Sequence, residues 1–267
     1  MKKRFPAVII AIILFALLIP KANAVSLKVA NTTVQNVKMY NGTTYVPIRQ
    51  TSQLLGNSVK VSWENGQAIV RASGVNVTAR PGDCYIEANG RMLYAVEGVK
   101  LVNGSTLVPI RPLAAAFGAS VYWDGATSSV SVSRGSGTIA SSDAYYDSSE
   151  VYWLSRIIHA ESESEPLKGK IAVGNVVLNR VKSPGFPGTI YTVIFDTKGG
   201  VQFTPVANGA IYNSPSAESI VAAKLCLDGA SVAGNSLFFF NPAISTSSWI
   251  KNSRSYVCAV GNHLFYA

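Results

Sequence analysis

Histidine and cysteine are scarce in this chain of 267 residues, and their scarcity excludes several kinds of site. Two histidines are too few for a multi-histidine zinc site. Three cysteines cannot all pair, so the chain is not a disulfide-framework protein. A Cys226–Cys258 bridge and buried free thiols both stay open. We therefore expect no metal and no cofactor.

Charged residues are also few, at 14% of the chain, and they are unevenly placed. Residues 25–135 hold ten Lys and Arg against five Asp and Glu, whereas residues 136–267 hold nine of each. The basic half suits an anionic partner, although charge that serves only solubility is the alternative. No basic run with interleaved aromatic residues occurs, so nucleic acid is not an expected partner.

One long apolar run is present, and it lies at the N-terminus. Basic residues 2–4 precede an apolar stretch from Ala7 to Ile19, and small residues at 22 and 24 flank Asn23. The stretch is short for a bilayer span. A signal peptide over residues 1–24 is therefore predicted, with an uncleaved anchor as the alternative. The protein is then exported, and no stable membrane span is expected.

An internal repeat fills residues 25–135. The segment Asn41–Arg49 (NGTTYVPIR) recurs 62 residues later as Asn103–Arg111 (NGSTLVPIR). In each copy a short apolar segment follows, and then a strand-like stretch that ends at Trp63 or Trp123. Each Asn-Gly pair suits a type I′ turn, and Gly56 and Gly118 suit left-handed helix ends. Two copies this small are expected to pack on one another.

This repeat resembles the copper amine oxidase N-terminal-like domain of exported bacterial proteins. The resemblance implies a β-rich module with short helices that serves as a binding or attachment domain. With no histidine and one cysteine in the stretch, a copper site is not expected. Arg49 and Arg111 are candidates for carbohydrate or anion contacts, or for structural ties between a helix and a turn.

The second half begins after a small, polar segment, residues 136–149, which is predicted as a flexible linker. Ser148 or Ser149 is expected to cap the next helix, whose apolar stripe is Val151, Leu154, Ile157 and Ile158. Glu161 continues that stripe. Burial there would raise its pKa and allow it to hold a proton near neutral pH as a general acid. The alternative is that the helix ends by Ala160 and leaves Glu161 in water.

A second helix is predicted from Pro166 to the Ser183-Pro184 stop, with Ala172 and Gly174 small enough for close helix packing. Beyond it, Gln202 offers an amide for sugar hydroxyl or N-acetyl groups, and Phe203 an apolar face. Asn241 and Trp249 supply the amide and aromatic groups expected of a sugar cleft. The triplet Phe238–Phe240 is expected to be ordinary core, and the alternative is that Phe239 and Phe240 add aromatic lining to that cleft.

Several ordered motifs in residues 150–267 resemble the catalytic domain of spore cortex-lytic enzymes, in the cell-wall hydrolase family. They are His159–Glu161, Glu165-Pro166, Gly169–Val181, Gln202-Phe203, Phe239–Pro242, Ser248–Ile250 and Gly261–Phe265. The resemblance implies an α+β protein whose second half is lysozyme-like, mainly helical with a small β element, and related to lytic transglycosylases. It also implies that Glu161 is the catalytic acid. His263 lies in one of the matching motifs and is a candidate substrate contact, with a structural histidine as the alternative. One departure is Ser162–Glu165, where the family has Ala-Arg-Gly-Glu.

The expected function is cleavage of the glycan strand of peptidoglycan between N-acetylmuramic acid and N-acetylglucosamine. Besides Glu161 and its neighbours, the acids that follow are Asp196, Glu218 and Asp228, all outside the matching motifs. A single acid suits lytic transglycosylation, in which no second carboxylate has to activate water. The expected location is the cell wall or the spore cortex, with action during germination as one setting. The alternative is a wall- or spore-associated protein that binds glycan without cleaving it, and the N-terminal module is expected to bind a wall polymer or a spore protein.

Overall fold

The structure is a computed structural model that describes residues 25–245 and 249–267. Strands dominate the first half and helices the second, which confirms the predicted α+β class. The predicted signal peptide, residues 1–24, and Ser248 of the quoted motifs lie outside the described residues. Within the described residues, no helix has the length and apolar character needed to cross a membrane.

The first half contains two short helices and three sheets among its described residues. The helices are α1 (Ile48–Leu55) and α2 (Ile110–Ala116). The strands are β1 (Ser26–Val29), β2 (Thr32–Thr33), β3 (Lys38–Tyr40), β4 (Thr43–Pro47), β5 (Lys60–Glu64), β6 (Gln67–Ala72), β7 (Val75–Ala79), β8 (Tyr85–Ala88), β9 (Arg91–Tyr94), β10 (Lys100–Val102), β11 (Ser105–Pro109), β12 (Ser120–Asp124) and β13 (Ser129–Ser133). Their sheet orders are β12-β13-β1-β2, β10-β11-β4-β3 and β5-β6-β7-β8-β9.

The two repeat copies are interlocked through shared sheets. Strand β1, at the start of the module, pairs in parallel with β13 at its end. Strands β4 and β11 pair antiparallel with Val46 opposite Val108, which are equivalent residues of the two copies. A local two-fold axis therefore passes between these two residues. Because apolar side chains of both copies form one buried cluster, neither copy has a core of its own, as the repeat predicts.

The turns follow the predicted glycine positions with one exception. Both Asn-Gly pairs have positive φ at both residues, 45° and 76° at Asn41-Gly42 and 49° and 73° at Asn103-Gly104. Gly118 ends α2 with a φ of 61°. Gly56 is different, because its φ of −118° is extended and the left-handed stop predicted there is wrong. A Cβ at Gly56 would lie 2.7 Å from Phe117 Cε1, so this glycine provides space.

Helices predominate in the second half, and a three-stranded sheet closes it. The helices are α3 (Ser142–Tyr145), α4 (Ser148–Ser162), α5 (Leu167–Lys182), α6 (Ile190–Ile194), α7 (Thr204–Asn208), α8 (Ala217–Leu227) and α9 (Trp249–Ser253), with a 3-10 turn at Ala210–Tyr212. Strands β14 (Phe238–Phe240), β15 (Tyr256–Val260) and β16 (His263–Tyr266) pair in the order β14-β16-β15.

Helices α4 and α5 form the centre of this half. The cap of α4 is Asp147, whose carboxylate accepts the N–H groups of Ser149 and Glu150, and not either predicted serine. Of the predicted stripe residues, Leu154, Ile157 and Ile158 are fully buried and Val151 is half-buried. On α5, a Cβ at Gly174 would lie 2.8 Å from Ile158 Cδ1 and 2.7 Å from the thiol of Cys226 on α8, which confirms the predicted close packing. All three cysteines are free, so Cys226 and Cys258 form no bridge.

Residues 136–149 pack against both halves. Ile139 is buried with the core of the first half, and Tyr146 donates its hydroxyl to the carboxylate of Asp228 at the end of α8. The same carboxylate, whose side chain is 1% exposed, forms an ion pair with Arg91 of β9. The backbone N–H of Met92 donates to the Tyr146 hydroxyl (3.2 Å). This segment is therefore a packed connection and not the flexible one expected from its composition.

Candidate active site

A cavity of about 520 Å³ lies where several element ends of the second half meet. Glu161 from the last turn of α4 and Arg180 from α5 form part of its wall. Gln202 and Phe203 enter from the loop before α7, and β14 and α9 close the remaining side. The other lining residues are Gly199, Val201, Thr204, Phe238, Phe239, Phe240, Asn241, Trp249 and Ile250.

Glu161 is held on the helix and not frayed into water. Helix α4 continues to Ser162, so the alternative in which the helix ends by Ala160 is wrong. Burial raises the pKa of Glu161 to about 7, and the nearby positive charge of Arg180 opposes that rise. Because desolvation of the carboxyl is the larger effect, the side chain is close to half protonated at neutral pH. A carboxyl in this state can donate a proton and later accept one.

Arg180 is the cation that faces Glu161. It is 5% exposed, and its Nε donates to the carbonyl of Leu237 (2.8 Å). Its Nη1 has no hydrogen-bond partner among the residues that the structure describes. Burial lowers its pKa to about 10, while the charges of Asp196 and Glu161 oppose that fall, so the guanidinium stays charged at neutral pH. Its Cζ atom lies 5.0 Å from the ring centroid of Phe203, so this ring shields one face of the guanidinium from water.

The segment that departs from the family motif is fixed by other contacts. Buried Lys170 donates through Nζ to the carbonyls of Glu163 (2.9 Å) and Glu165. The carboxylate of Glu165 accepts from the backbone N–H and the side-chain amide of Asn262, each at 2.9 Å. Hydrogen bonds from Lys170 and Asn262 thus fix the turn between α4 and α5, although the arginine and glycine of the family motif are absent from it.

Glu163 does not contribute to the electrostatics of the cavity. Its side chain is 78% exposed and lies 4.0 Å from His159 Nε2. Charges that act on the pKa of Glu161 come from Arg180 and not from Glu163. The pKa of Glu161 is therefore set by burial and by Arg180, and not by the additional anion Glu163.

The structure brings four of the five expected substrate contacts to the cavity that contains Glu161. These are Gln202, Phe203, Asn241 and Trp249. The amide of Gln202 donates to the carbonyls of Lys198 (3.3 Å) and Gly200 (3.2 Å), which orients it. Trp249 is 54% exposed, whereas Phe203 is 2% exposed and contributes mainly to the floor.

His263 lies behind the wall and does not line the cavity. Its Nδ1 is 3.7 Å from Glu165 Oε1, and its ring contacts that of Phe239 edge-on with centroids 5.3 Å apart. Burial lowers the pKa of His263, and Glu165 opposes that effect. The structure therefore gives His263 a supporting position under β14.

One residue of the cavity was missed by the sequence reasoning, and for the aromatic triplet the less favoured interpretation is the one that agrees with the structure. Arg180 is one of two charged residues among the buried residues of α5, with Lys170, and a cation among apolar helix positions was the available signal. The triplet Phe238–Phe240, expected as ordinary core, is half-buried and lines the cavity. Three aromatic residues in a row cannot all face one side of a strand, which was the signal that part of the triplet reaches another surface.

Asp196, Glu218 and Asp228 do not line the cavity, although the charge of Asp196 acts on Arg180. Glu218 pairs with Lys170 (2.7 Å), Asp228 pairs with Arg91, and Asp196 accepts from the backbone N–H of Lys198 (2.9 Å). Among the described residues that line the cavity, Glu161 is the only carboxylic acid. Within the same described ranges, no group of three or more His, Cys, Asp and Glu residues is arranged to hold a metal ion.

Two family models match the chain. Residues 164–266 match the model described as Cell Wall Hydrolase, and residues 25–132 match the Copper amine oxidase N-terminal domain. The chain carries a cell wall hydrolase domain. It is preceded by a copper amine oxidase N-terminal-like domain, as the repeat indicates. The hydrolase match begins three residues after Glu161, so the role of Glu161 rests on the cavity.

Relatives of this cell wall hydrolase domain include spore cortex-lytic enzymes. One from Bacillus cereus is 37% identical over 120 residues, which cover 45% of each chain. One from Oceanobacillus iheyensis is 33% identical over 141 residues, 53% of this chain and 46% of the relative. The chain thus spans about half the length of the curated relatives it matches. The solved catalytic domain of the germination-specific lytic transglycosylase SleB from Bacillus anthracis is 36% identical, with 46% of this chain and 97% of that chain covered and a TM-score of 0.42.

Proposed function

We propose that the cell wall hydrolase domain cleaves the glycan strand of peptidoglycan by lytic transglycosylation, with Glu161 as general acid and then general base. The observation that carries this proposal is a lone carboxyl of raised pKa in a cavity with aromatic and amide walls. Since no second acid lines that cavity among the described residues, a mechanism that needs one carboxylate fits better than one that needs two.

In the first step, Glu161 donates its proton to the oxygen that links C1 of N-acetylmuramic acid to the next sugar. The C1–O bond breaks, the next sugar leaves as an alcohol, and positive charge develops at C1 and the ring oxygen. The carboxylate of Glu161 remains, and Arg180 stabilises its negative charge. In the second step, Glu161 takes the proton of the 6-hydroxyl, whose oxygen bonds to C1 and closes an anhydro ring.

The cavity walls have separate roles in this scheme. Gln202 and Asn241 carry amides that suit N-acetyl and hydroxyl groups of the sugars. The exposed face of Trp249 and the rings of Phe238–Phe240 suit the apolar faces of pyranose rings. Phe203 and His263 are positioning residues, because Phe203 packs beside Arg180 and His263 supports Phe239.

We propose further that the protein is exported and acts on the spore cortex or another part of the wall. The spore cortex-lytic enzymes among its relatives and the pattern of residues 1–24 support this setting. We expect fractionation to recover the chain outside the membrane. We expect N-terminal sequencing to show that residues 1–24 have been removed. Recovery of the intact chain in the membrane would contradict it.

The rival function is a wall- or spore-associated protein that binds glycan without cleaving it. Loss of turbidity of purified peptidoglycan separates the two, with Glu161→Gln as the test variant and Glu163→Gln as its matched control. We expect the parent and Glu163→Gln to clear the suspension and Glu161→Gln to be slower by about 10²–10⁴-fold. If all three proteins bind and none clears it, the rival is correct.

Mass spectrometry of the released fragments tests the reaction type. Fragments that end in anhydro-muramic acid are expected from closure of the 6-hydroxyl. Fragments with reducing ends would show that water is the nucleophile and would contradict the single-carboxyl mechanism.

A further inference from the structure

Two clefts in the first half occupy equivalent places in the two repeat copies. The first cleft, of about 580 Å³, joins Thr43 and Thr44 of β4 to Arg111 of α2 and Trp123 of β12. The second cleft, of about 610 Å³, joins Ser105 and Thr106 of β11 to Arg49 of α1 and Trp63 of β5. Each cleft thus combines the hairpin of one copy with the helix start and tryptophan of the other.

The local two-fold axis between β4 and β11 relates the two clefts. Their lining residues correspond almost one for one, with Met39 matched by Leu101, Gly42 by Gly104 and Ile48 by Ile110, each pair 62 residues apart. Two repeat copies that share one core need to have only their buried residues in common. These clefts also repeat side chains that the core does not use.

The tryptophans are the clearest of these repeated side chains. Trp63 is 51% exposed and Trp123 is 41% exposed, and neither belongs to the buried cluster of the module. An indole left half in water, at the same position in both copies, adds little to folding and is typical of a surface that binds a ligand.

The polar groups indicate the chemistry of that ligand. Among the described residues, each cleft has one arginine and no acid in its lining. Arg49 donates through Nη1 to the carbonyl of Val61 (2.8 Å), which holds it along the wall, whereas Arg111 has no hydrogen bond or ion pair with a described residue. A flat aromatic face, hydroxyl groups and a guanidinium suit a sugar ring that carries a carboxylate nearby.

We propose that the two clefts are paired binding sites for peptidoglycan glycan strands, with the indole of each cleft against a sugar ring and the arginine beside a carboxylate of the attached peptide. The net positive charge of residues 25–135 complements that polymer. A repeating polymer presents the same unit to both clefts, so two weak sites give firm attachment. This inference shares its polymer with the proposed function but does not depend on cleavage.

The experiment measures binding to purified peptidoglycan from which covalently attached anionic polymers have been removed. The full chain carries Glu161→Gln in every sample so that the probe is not degraded. We compare Trp63→Ala, Trp123→Ala and the double variant by co-sedimentation. Tyr122→Ala is the matched control, because Tyr122 precedes Trp123 on β12, is 67% exposed and does not line the first cleft.

Each single tryptophan variant should bind about 10- to 100-fold more weakly, because two-site attachment becomes one-site attachment. The double variant should retain only the binding of the catalytic cavity, and Tyr122→Ala should bind like the parent. Should the double variant fail to fold, Arg111→Glu tests the first cleft alone and should bind like Trp123→Ala, since this exposed arginine has no hydrogen bond or ion pair with a described residue to lose.

Unchanged binding by the double variant would overturn the proposal, as would an equal loss in Tyr122→Ala. Binding only to walls that keep their attached anionic polymers would overturn it too. Cleavage of short soluble glycan fragments, measured with Glu161 intact, distinguishes a failure of this binding proposal from a failure of the proposed function. The tryptophan variants should cleave these fragments like the parent, whereas the Glu161→Gln chain should not.

Discussion

Replacement of Glu161 by glutamine should lower activity and raise stability, with the stability gain dependent on pH. Glutamine keeps the shape of the side chain but cannot ionise. An ordinary glutamate ionises near pH 4.5, whereas burial raises the pKa of Glu161 to about 7. Between these two values the unfolded chain releases its proton while the native chain retains it. The native protein therefore loses stability as the pH rises from about 4.5 to about 7.

The size of this loss follows from the difference between the two pKa values. One unit of pKa corresponds to about 1.4 kcal/mol, so the upper limit above pH 7 is about 3 kcal/mol. Water that reaches Glu161 through the cavity reduces this figure. Below pH 4.5 the carboxyl is protonated in both states, and the variant and parent should then have similar stability.

Urea unfolding of both proteins at pH 4.5 and pH 8 measures the effect. Glu161→Gln should be the more stable protein at pH 8 and close to the parent at pH 4.5. Glu163→Gln is the control, because that exposed side chain should give no comparable difference between the two pH values. If Glu161→Gln behaves like Glu163→Gln at both, the carboxyl ionises as a surface glutamate does, and the mechanism loses its basis.

Three further substitutions test other parts of the structure. Arg180→Gln should raise the pKa of Glu161 further, shift the pH–activity profile of turbidity loss to higher pH, and reduce the rate at pH 7 by about 10²-fold. Asp228→Asn should lower the free energy of unfolding by about 3 kcal/mol in urea, because Arg91, whose side chain is 13% exposed, loses its charged partner. Gly174→Ala should cost about 1–3 kcal/mol, measured as a lower Tm, because its Cβ would lie within 2.8 Å of two side-chain atoms.

Each of these substitutions has a control in the same chain. Lys182→Gln removes an exposed cation from the same helix as Arg180 and should leave the pH profile unchanged. Glu64→Gln breaks an exposed ion pair with Arg71 and should barely affect unfolding. Gly188→Ala adds a methyl group that would have no heavy atom of the described residues within 4 Å, apart from Gly188 itself and its two chain neighbours. An equal effect in a test variant and its control would refute the structural reason given for that variant.

The repeat shows what can be inferred from sequence when local signals agree. Asn-Gly turns, the Val-Pro-Ile-Arg segments and the 62-residue offset predict two similar units, because turn geometry and apolar periodicity act over a few residues. No such local signal indicates that β1, from the first copy, joins the sheet of the second copy. Parallel pairing of β1 with β13 joins residues about 100 positions apart, and only packing of the whole module decides it.

The candidate site divides in the same way. The amphipathic spacing of α4 by itself predicted a buried helix face for Glu161, with a frayed helix end as the alternative, and the order of motifs indicated the residues that would surround it. Tertiary structure alone decided that Arg180 faces Glu161, that Phe238–Phe240 line the cavity and that His263 lies behind it. These outcomes depend on where separate elements meet, because proximity in space between residues far apart in the chain is set by the sum of all packing contacts and not by any local pattern.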